Sequence, residues 1–168
     1  MLGALITLII LTAISDCLII YQFLHKEKQS SIFSTDFQDK FETIGLPVLT
    51  VTLNNTPVNL IIDSGSTTSY LDKSLMSLLG DNYTKKSSLK VYGIAGESGK
   101  AKRITTALCI NNKDISTDFL VRDLSKSFSP IKESTGVQIH GLLGSDFLNE
   151  NSAVLDFAAK TFTLKCNG

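Results

Sequence analysis

Past residue 45 the chain alternates apolar and polar positions in short runs, each closed by a turn signal, and this pattern predicts strands. LPVLTVTL over residues 46–53 alternates cleanly, Asn54-Asn55 supplies a turn that tolerates positive φ, and residues 56–62 end in the apolar triplet Leu60-Ile61-Ile62. Pro57 cannot donate to a ladder, so it fits the start of that strand. Leu75, Leu78 and Leu79, with Asp72 before them and Gly80 after, predict a short helix over residues 73–79. Residues 89–92 and 101–110 read as the arms of a long hairpin around GIAGESG, and residues 111–114 form a turn into a strand over 115–121. Residues 123–137 read as a polar loop, residues 139–143 are apolar again, and a short turn or helix covers 145–149. AVLDF and TFTLK around Ala158-Ala159-Lys160 read as a closing hairpin. Many short strands with few helical windows predict an all-β, barrel-like domain with one or two short helices over residues 45–168.

The first part of the chain has another pattern. Residues 2–24 carry a single formal charge, Asp16, and as a helix they would extend about 34 Å, enough to cross a hydrocarbon core. The stretch lacks the basic start of a signal peptide and stays apolar past any small-residue cleavage site, so residues 1–25 read as a retained transmembrane anchor. Lys26 and Lys28 follow the span and no Lys or Arg precedes it, which leans towards a single-pass protein with its soluble domain on the cytoplasmic side. Residues 26–44 mix charge, Ser/Thr and spaced Phe and read as a juxtamembrane linker, partly helical.

Composition narrows the function. The 168 residues hold 16 Lys and Arg against 16 Asp and Glu, without a basic excess for neutralising nucleic-acid phosphates. Three cysteines (Cys17, Cys109 and Cys166) and two distant histidines (His25 and His140) are too few and too scattered for a disulfide framework or a zinc site. No metal or other cofactor is expected.

The segment richest in chemistry is Asp63-Ser64-Gly65-Ser66, directly after the apolar triplet. A carboxylate there is costly to bury unless it is hydrogen-bonded or paired. The glycine allows a tight turn that brings backbone N–H groups towards it, and the two serines add hydroxyls for neighbouring groups. About 80 positions later Ile139-His140-Gly141-Leu142-Leu143-Gly144 again runs apolar residues into glycine and a polar turn. Of the other polar residues, His140 reads as a strand-end or loop histidine rather than a base, Asp146 as a cap of the short helix, and Asp156 as a solvent-facing or turn-stabilising residue.

Together these segments resemble a retropepsin-like aspartic protease: the Asp-Ser-Gly loop, then a glycine-rich flap at Tyr92-Gly93-Ile94-Ala95-Gly96, then Leu142-Leu143-Gly144, then the closing hairpin, in that order over about residues 45–165. The resemblance implies a closed acid-protease barrel and peptide hydrolysis by a water held between two aspartates. Asp63 would be catalytic, Ser64, Gly65 and Ser66 would form the active-site loop, and residues 92–96 would close over a protein or peptide substrate. Leu142, Leu143 and Gly144 would support the loop from behind. With one such triplet per chain, the active form implied is a homodimer in which each copy contributes Asp63. The competing expectations are an idle retropepsin-like module for peptide binding or dimerisation, and a structural β-barrel membrane adaptor in which Asp63 is an ordinary turn residue.

Overall fold

Two asparagine pairs set the frame of the barrel. Asn54 and Asn55 (φ 45° and 61°) and Asn111 and Asn112 (φ 48° and 61°) adopt the left-handed conformation that two-residue hairpin turns require. The first joins β2 (Val48–Leu53) to β3 (Thr56–Ile62) and the second joins β6 (Ser98–Ile110) to β7 (Lys113–Arg122). The computed structural model describes the backbone of residues 31–92 and 98–166. The proposed anchor (1–25) and the flap residues Gly93, Ile94, Ala95 and Gly96 lie outside the described residues. Among the described residues no helix is long and apolar enough to cross a membrane.

The main sheet runs β2-β3-β8-β4-β7-β6-β5, with β4 at Tyr70–Asp72, β5 at Thr84–Tyr92 and β8 at Gly141–Leu143. A further pairing of β2 with β6, Thr52 opposite Cys109, closes six strands into a barrel and leaves β5 as an edge strand. The alternation seen in the sequence points inward as expected: Val51, Leu53, Val58, Leu60, Ile62, Ile104, Leu108, Phe119 and Leu143 are buried in one core. Asp72 caps the turn before the short helix α2 (Met76–Leu79), its carboxylate accepting the Ser74 N–H at 2.8 Å.

A second, three-stranded sheet, β1-β10-β9, combines β1 (Ser31–Asp36) with β9 (Val154–Asp156) and β10 (Thr161–Cys166). Asp156 holds the turn of the closing hairpin by accepting the N–H groups of Ala158 and Ala159. The segment expected to be a linker therefore enters the fold from residue 31 onwards: β1 is followed by α1 (Gln38–Ile44), and the compact unit spans Ile32–Cys166. Phe37, at the joint, is 2% exposed, donates its N–H to the Lys160 carbonyl, and packs edge-on with Phe41 and Phe157. Burying a side chain of this size contributes roughly 2–3 kcal/mol, which explains why a polar-looking stretch is held in place.

The loop expected over 123–137 is instead the helix α3 (Ser125–Thr135), stopped by Gly136 at φ 75°. Phe128 is buried against Val48 and Ile139, with Leu124 and Ile131 packed beside it, so one apolar stripe at helical spacing outweighs the serines and Pro130. With α4 (Ser145–Glu150) the described residues contain four short α-helices rather than one or two. They flank the barrel without changing its all-β character.

Candidate active site

Strand β3 delivers Asp63 to its position. Its parallel neighbour β8 pairs Leu60 with Gly141, Ile61 with Leu142 and Ile62 with Leu143, and the ladder runs one step further, with the Asp63 N–H donating to the Leu143 carbonyl at 2.9 Å. Ile62 and Leu143 are buried, Asp63 is half-buried, and Ser64 and Gly65 are exposed. The apolar triplet thus anchors a carboxylate at the barrel's rim rather than inside it. The chain then curls back, and the Gly65 N–H donates to Asp63 Oδ1 at 2.9 Å. A β-carbon at residue 65 would stand 3.2 Å from that oxygen, so a larger residue would crowd the carboxylate and push it by a few tenths of an ångström.

Beyond the turn the loop is tied to the chain around residue 145. Ser66 donates its N–H to the Asp63 carbonyl (3.2 Å) and its hydroxyl to the Thr68 carbonyl (2.7 Å), while its own carbonyl accepts the Ser145 N–H (2.7 Å). Gly144 lies directly under this loop, where a β-carbon would sit 2.6 Å from the Thr68 carbonyl carbon and 2.9 Å from the Ser66 oxygen. Leu143 and Gly144 are therefore in contact with the loop they were expected to support; Leu142 is half-buried on β8.

Two residues that the sequence reading left out of the site brace it most firmly. Ser69 is fully buried and donates both its hydroxyl and its N–H to the Asp146 carboxylate, at 2.7 and 2.9 Å. The same hydroxyl accepts the Gly144 N–H at 2.9 Å. Asp146 also accepts the Phe147 N–H at 2.8 Å, the first-turn contact expected of it, but its larger role is to clamp Ser69 from 77 positions away. A short polar residue six positions after Asp63, set against an Asp just inside a glycine-led helix, is the signal that could have found the pair. Among the described residues no buried side-chain N or O atom lacks a hydrogen-bond partner.

His140 extends the β3–β8 ladder with its ring: Nδ1 accepts the Asn59 N–H at 3.0 Å while its backbone N–H donates to the Asn59 carbonyl at 2.8 Å. Burial pushes its pKa below the usual value, and the Asp72 charge opposes that only in part. An acceptor nitrogen in a ladder is a structural part, not a base. β5 and β6 pair from Thr84 opposite Thr105 out to Tyr92 opposite Ser98, forming the long hairpin expected. Among the described residues no group of His, Cys, Asp or Glu could hold a metal ion.

A family model described as "Aspartyl protease" matches residues 49–147, from β2 into α4. The chain belongs to the aspartyl protease family. Its activity is accordingly that of an aspartic-type endopeptidase, a peptide hydrolase, and the matched span contains Asp63, Ser69, Gly144 and Asp146 together. Among solved structures it is similar to the retroviral protease-like domain of Ddi1 from Leishmania major, at 18% identity over 71% of this chain and 87% of that one, with a TM-score of 0.50. A retropepsin-like aspartic protease from Rickettsia conorii matches at 17% identity over 82% of this chain and 94% of its own, with a TM-score of 0.47. The EIAV protease, in complex with an inhibitor, matches at 21% identity over 62% of this chain and 86% of its own, with a TM-score of 0.44. The Leishmania domain supports the retropepsin-like fold read from the strand order. No curated protein matches the chain.

Proposed function

We propose that this aspartic protease is a membrane-anchored homodimer in which Asp63 of two copies forms one catalytic dyad acting on a protein in or beside the membrane. The observation that carries the reading is half a site. One Asp-Ser-Gly triplet occurs in the chain, and its carboxylate sits at the barrel rim with one oxygen held by Gly65 and with exposed neighbours. Two such carboxylates brought together cannot both ionise cheaply and share one proton. The ionised one takes a proton from the water as its oxygen attacks the scissile carbonyl carbon; the protonated one donates to the carbonyl oxygen. Collapse of the tetrahedral intermediate returns a proton to the leaving nitrogen and breaks the C–N bond. The apolar span over residues 1–25 would confine both copies to one plane and raise their effective concentration, and Lys26 and Lys28 favour a cytoplasmic domain.

The test uses the full-length chain in liposomes. Asp63→Asn should abolish peptide cleavage without changing folding, and activity should fall with the square of protomer density as lipid is added. Cleavage at wild-type rate by Asp63→Asn, or full activity of a chain that sediments as a monomer, overturns the dyad.

A further inference from the structure

Alternation along β3 turns Ile62 into the core, so Ile61 and Asp63 carry their side chains on the opposite face of the sheet. Register extends that face sideways. Ile61 stands beside Leu142 of β8, Leu142 opposite Tyr70 of β4, and Tyr70 beside Leu120 of β7. Four adjacent strands thus lay one row of apolar and aromatic side chains behind the row that holds Asp63.

The ends of this row are filled from within the domain. Ile61 packs with Val48, Phe128 and Ile139, beside α3. At the other end Leu120 and Ala101 are each 3% exposed and cluster together, with Tyr70 packed against them. The middle differs: Leu142 and Tyr70 are only half-buried. Tyr70 lies two residues back and two strands across from Asp63, roughly 12 Å between α-carbons on ordinary strand spacings. Two residues of extended peptide cover roughly 7 Å of that distance, and the facing side chains close the remainder.

As a cover for Leu120 and Ala101 alone, Tyr70 would be a packing residue. Its place on the face of Asp63, one row behind the carboxylate, gives it a second part. We propose that Tyr70 and Leu142 floor an apolar subsite for a substrate side chain within two residues of the scissile bond, and that Tyr70 is its specificity-determining residue. The ring occupies the space over Leu120 and Ala101, so the subsite is shallow and takes a compact β-branched side chain such as Val in preference to Phe. Removing the ring opens a deeper floor of Leu120 and Ala101. The proposal rests on the reading of Asp63 as the catalytic carboxylate.

The test is a set of quenched peptides in which the two positions on each side of the scissile bond are in turn Val or Phe, assayed with the full-length chain in zwitterionic micelles. At one position kcat/KM should favour Val at least about tenfold. Tyr70→Ala should bring that ratio to one or below, because Phe gains the depth the ring filled. Tyr70→Leu, which keeps more of the packing, should lower it part-way, and Tyr70→Phe should keep it. Each ratio compares two peptides on one preparation, so a reduced folded fraction cancels. Val154→Ala, which truncates an exposed residue of β9, should leave the ratio intact. The subsite is overturned by an even ratio at every position in the wild type, by a preference that survives Tyr70→Ala and Tyr70→Leu, or by one lost equally in Tyr70→Phe or Val154→Ala. It is also overturned if Tyr70→Ala weakens self-association in sedimentation while leaving the ratio alone, which would assign the row to a second copy of the chain. Anisotropy with the same peptides on the Asp63→Asn chain reads the preference without catalysis. A wild type that cleaves no peptide, or Asp63→Asn cleaving at wild-type rate, therefore defeats the reading of Asp63, while the binding ratio still decides the subsite.

Discussion

Replacing Ser69 with alanine removes one oxygen from the centre of the site. That oxygen donates to the Asp146 carboxylate at 2.7 Å and accepts the buried Gly144 N–H at 2.9 Å. The lost bond to a charged group is worth about 1.5–3 kcal/mol, and the stranded N–H costs about 1–3 kcal/mol more, offset in part by relaxation. Ser69→Ala should therefore destabilise the protein by about 3 kcal/mol. The chain has no Trp and four Tyr, so urea unfolding followed by tyrosine emission in a mild detergent can measure the loss. A double-mutant cycle with Asp146→Asn should give a coupling of at least about 1 kcal/mol, because the two residues share a network. Peptide cleavage should fall with stability still measurable, since the Ser66–Thr68 segment loses the support beneath it. A loss under about 0.5 kcal/mol, or strict additivity with Asp146→Asn, would show that the Asp63 loop is held some other way.

Phe37→Ala should cost about 3–5 kcal/mol in the same urea assay, because Phe37 is 2% exposed between α1 and the closing hairpin; a neutral result would return the segment to linker status. Acid should weaken the fold through His140. Its folded pKa lies below the unfolded value of 6.5, so its contribution is complete above about pH 6.5 and is lost as pH falls from there through the folded pKa. His140→Gln should flatten the pH dependence of the urea midpoint in that window, and an unchanged slope would remove the histidine from the account.

What the sequence made legible was local. The Asn-Asn turns, the Asp72 cap and the apolar triplet before Asp63 each declare themselves within a few residues, because backbone sterics and burial act at that range. Phe37 does not, since what buries it is Phe157 and the Lys160 carbonyl, more than a hundred positions on. The helix α3 was hidden by its serines and by Pro130, which removes only the one bond to the Lys126 carbonyl; Leu124, Phe128 and Ile131 already stood at the spacing of one helical face. The Ser69–Asp146 clamp carries only a faint local signal for a different reason: its two members stand 77 positions apart and meet only when the parallel pairing of β3 with β8 brings them together.

That parallel pairing also sets an order of events. Asn59 meets His140 at a separation of 81 positions, and Ser69 meets Asp146 at 77. Contacts of such long range are slow to form, because the intervening chain must be ordered before they return anything. During synthesis the segment holding Asp63 leaves the ribosome long before the strand that supports it. Until residues 141–146 arrive, β3 has one neighbour instead of two, and the loop after it lacks its Leu143, Ser145 and Asp146 partners. A nascent or truncated chain is thus chemically silent, and the ability to cut peptide bonds appears only once nearly the whole domain has been made.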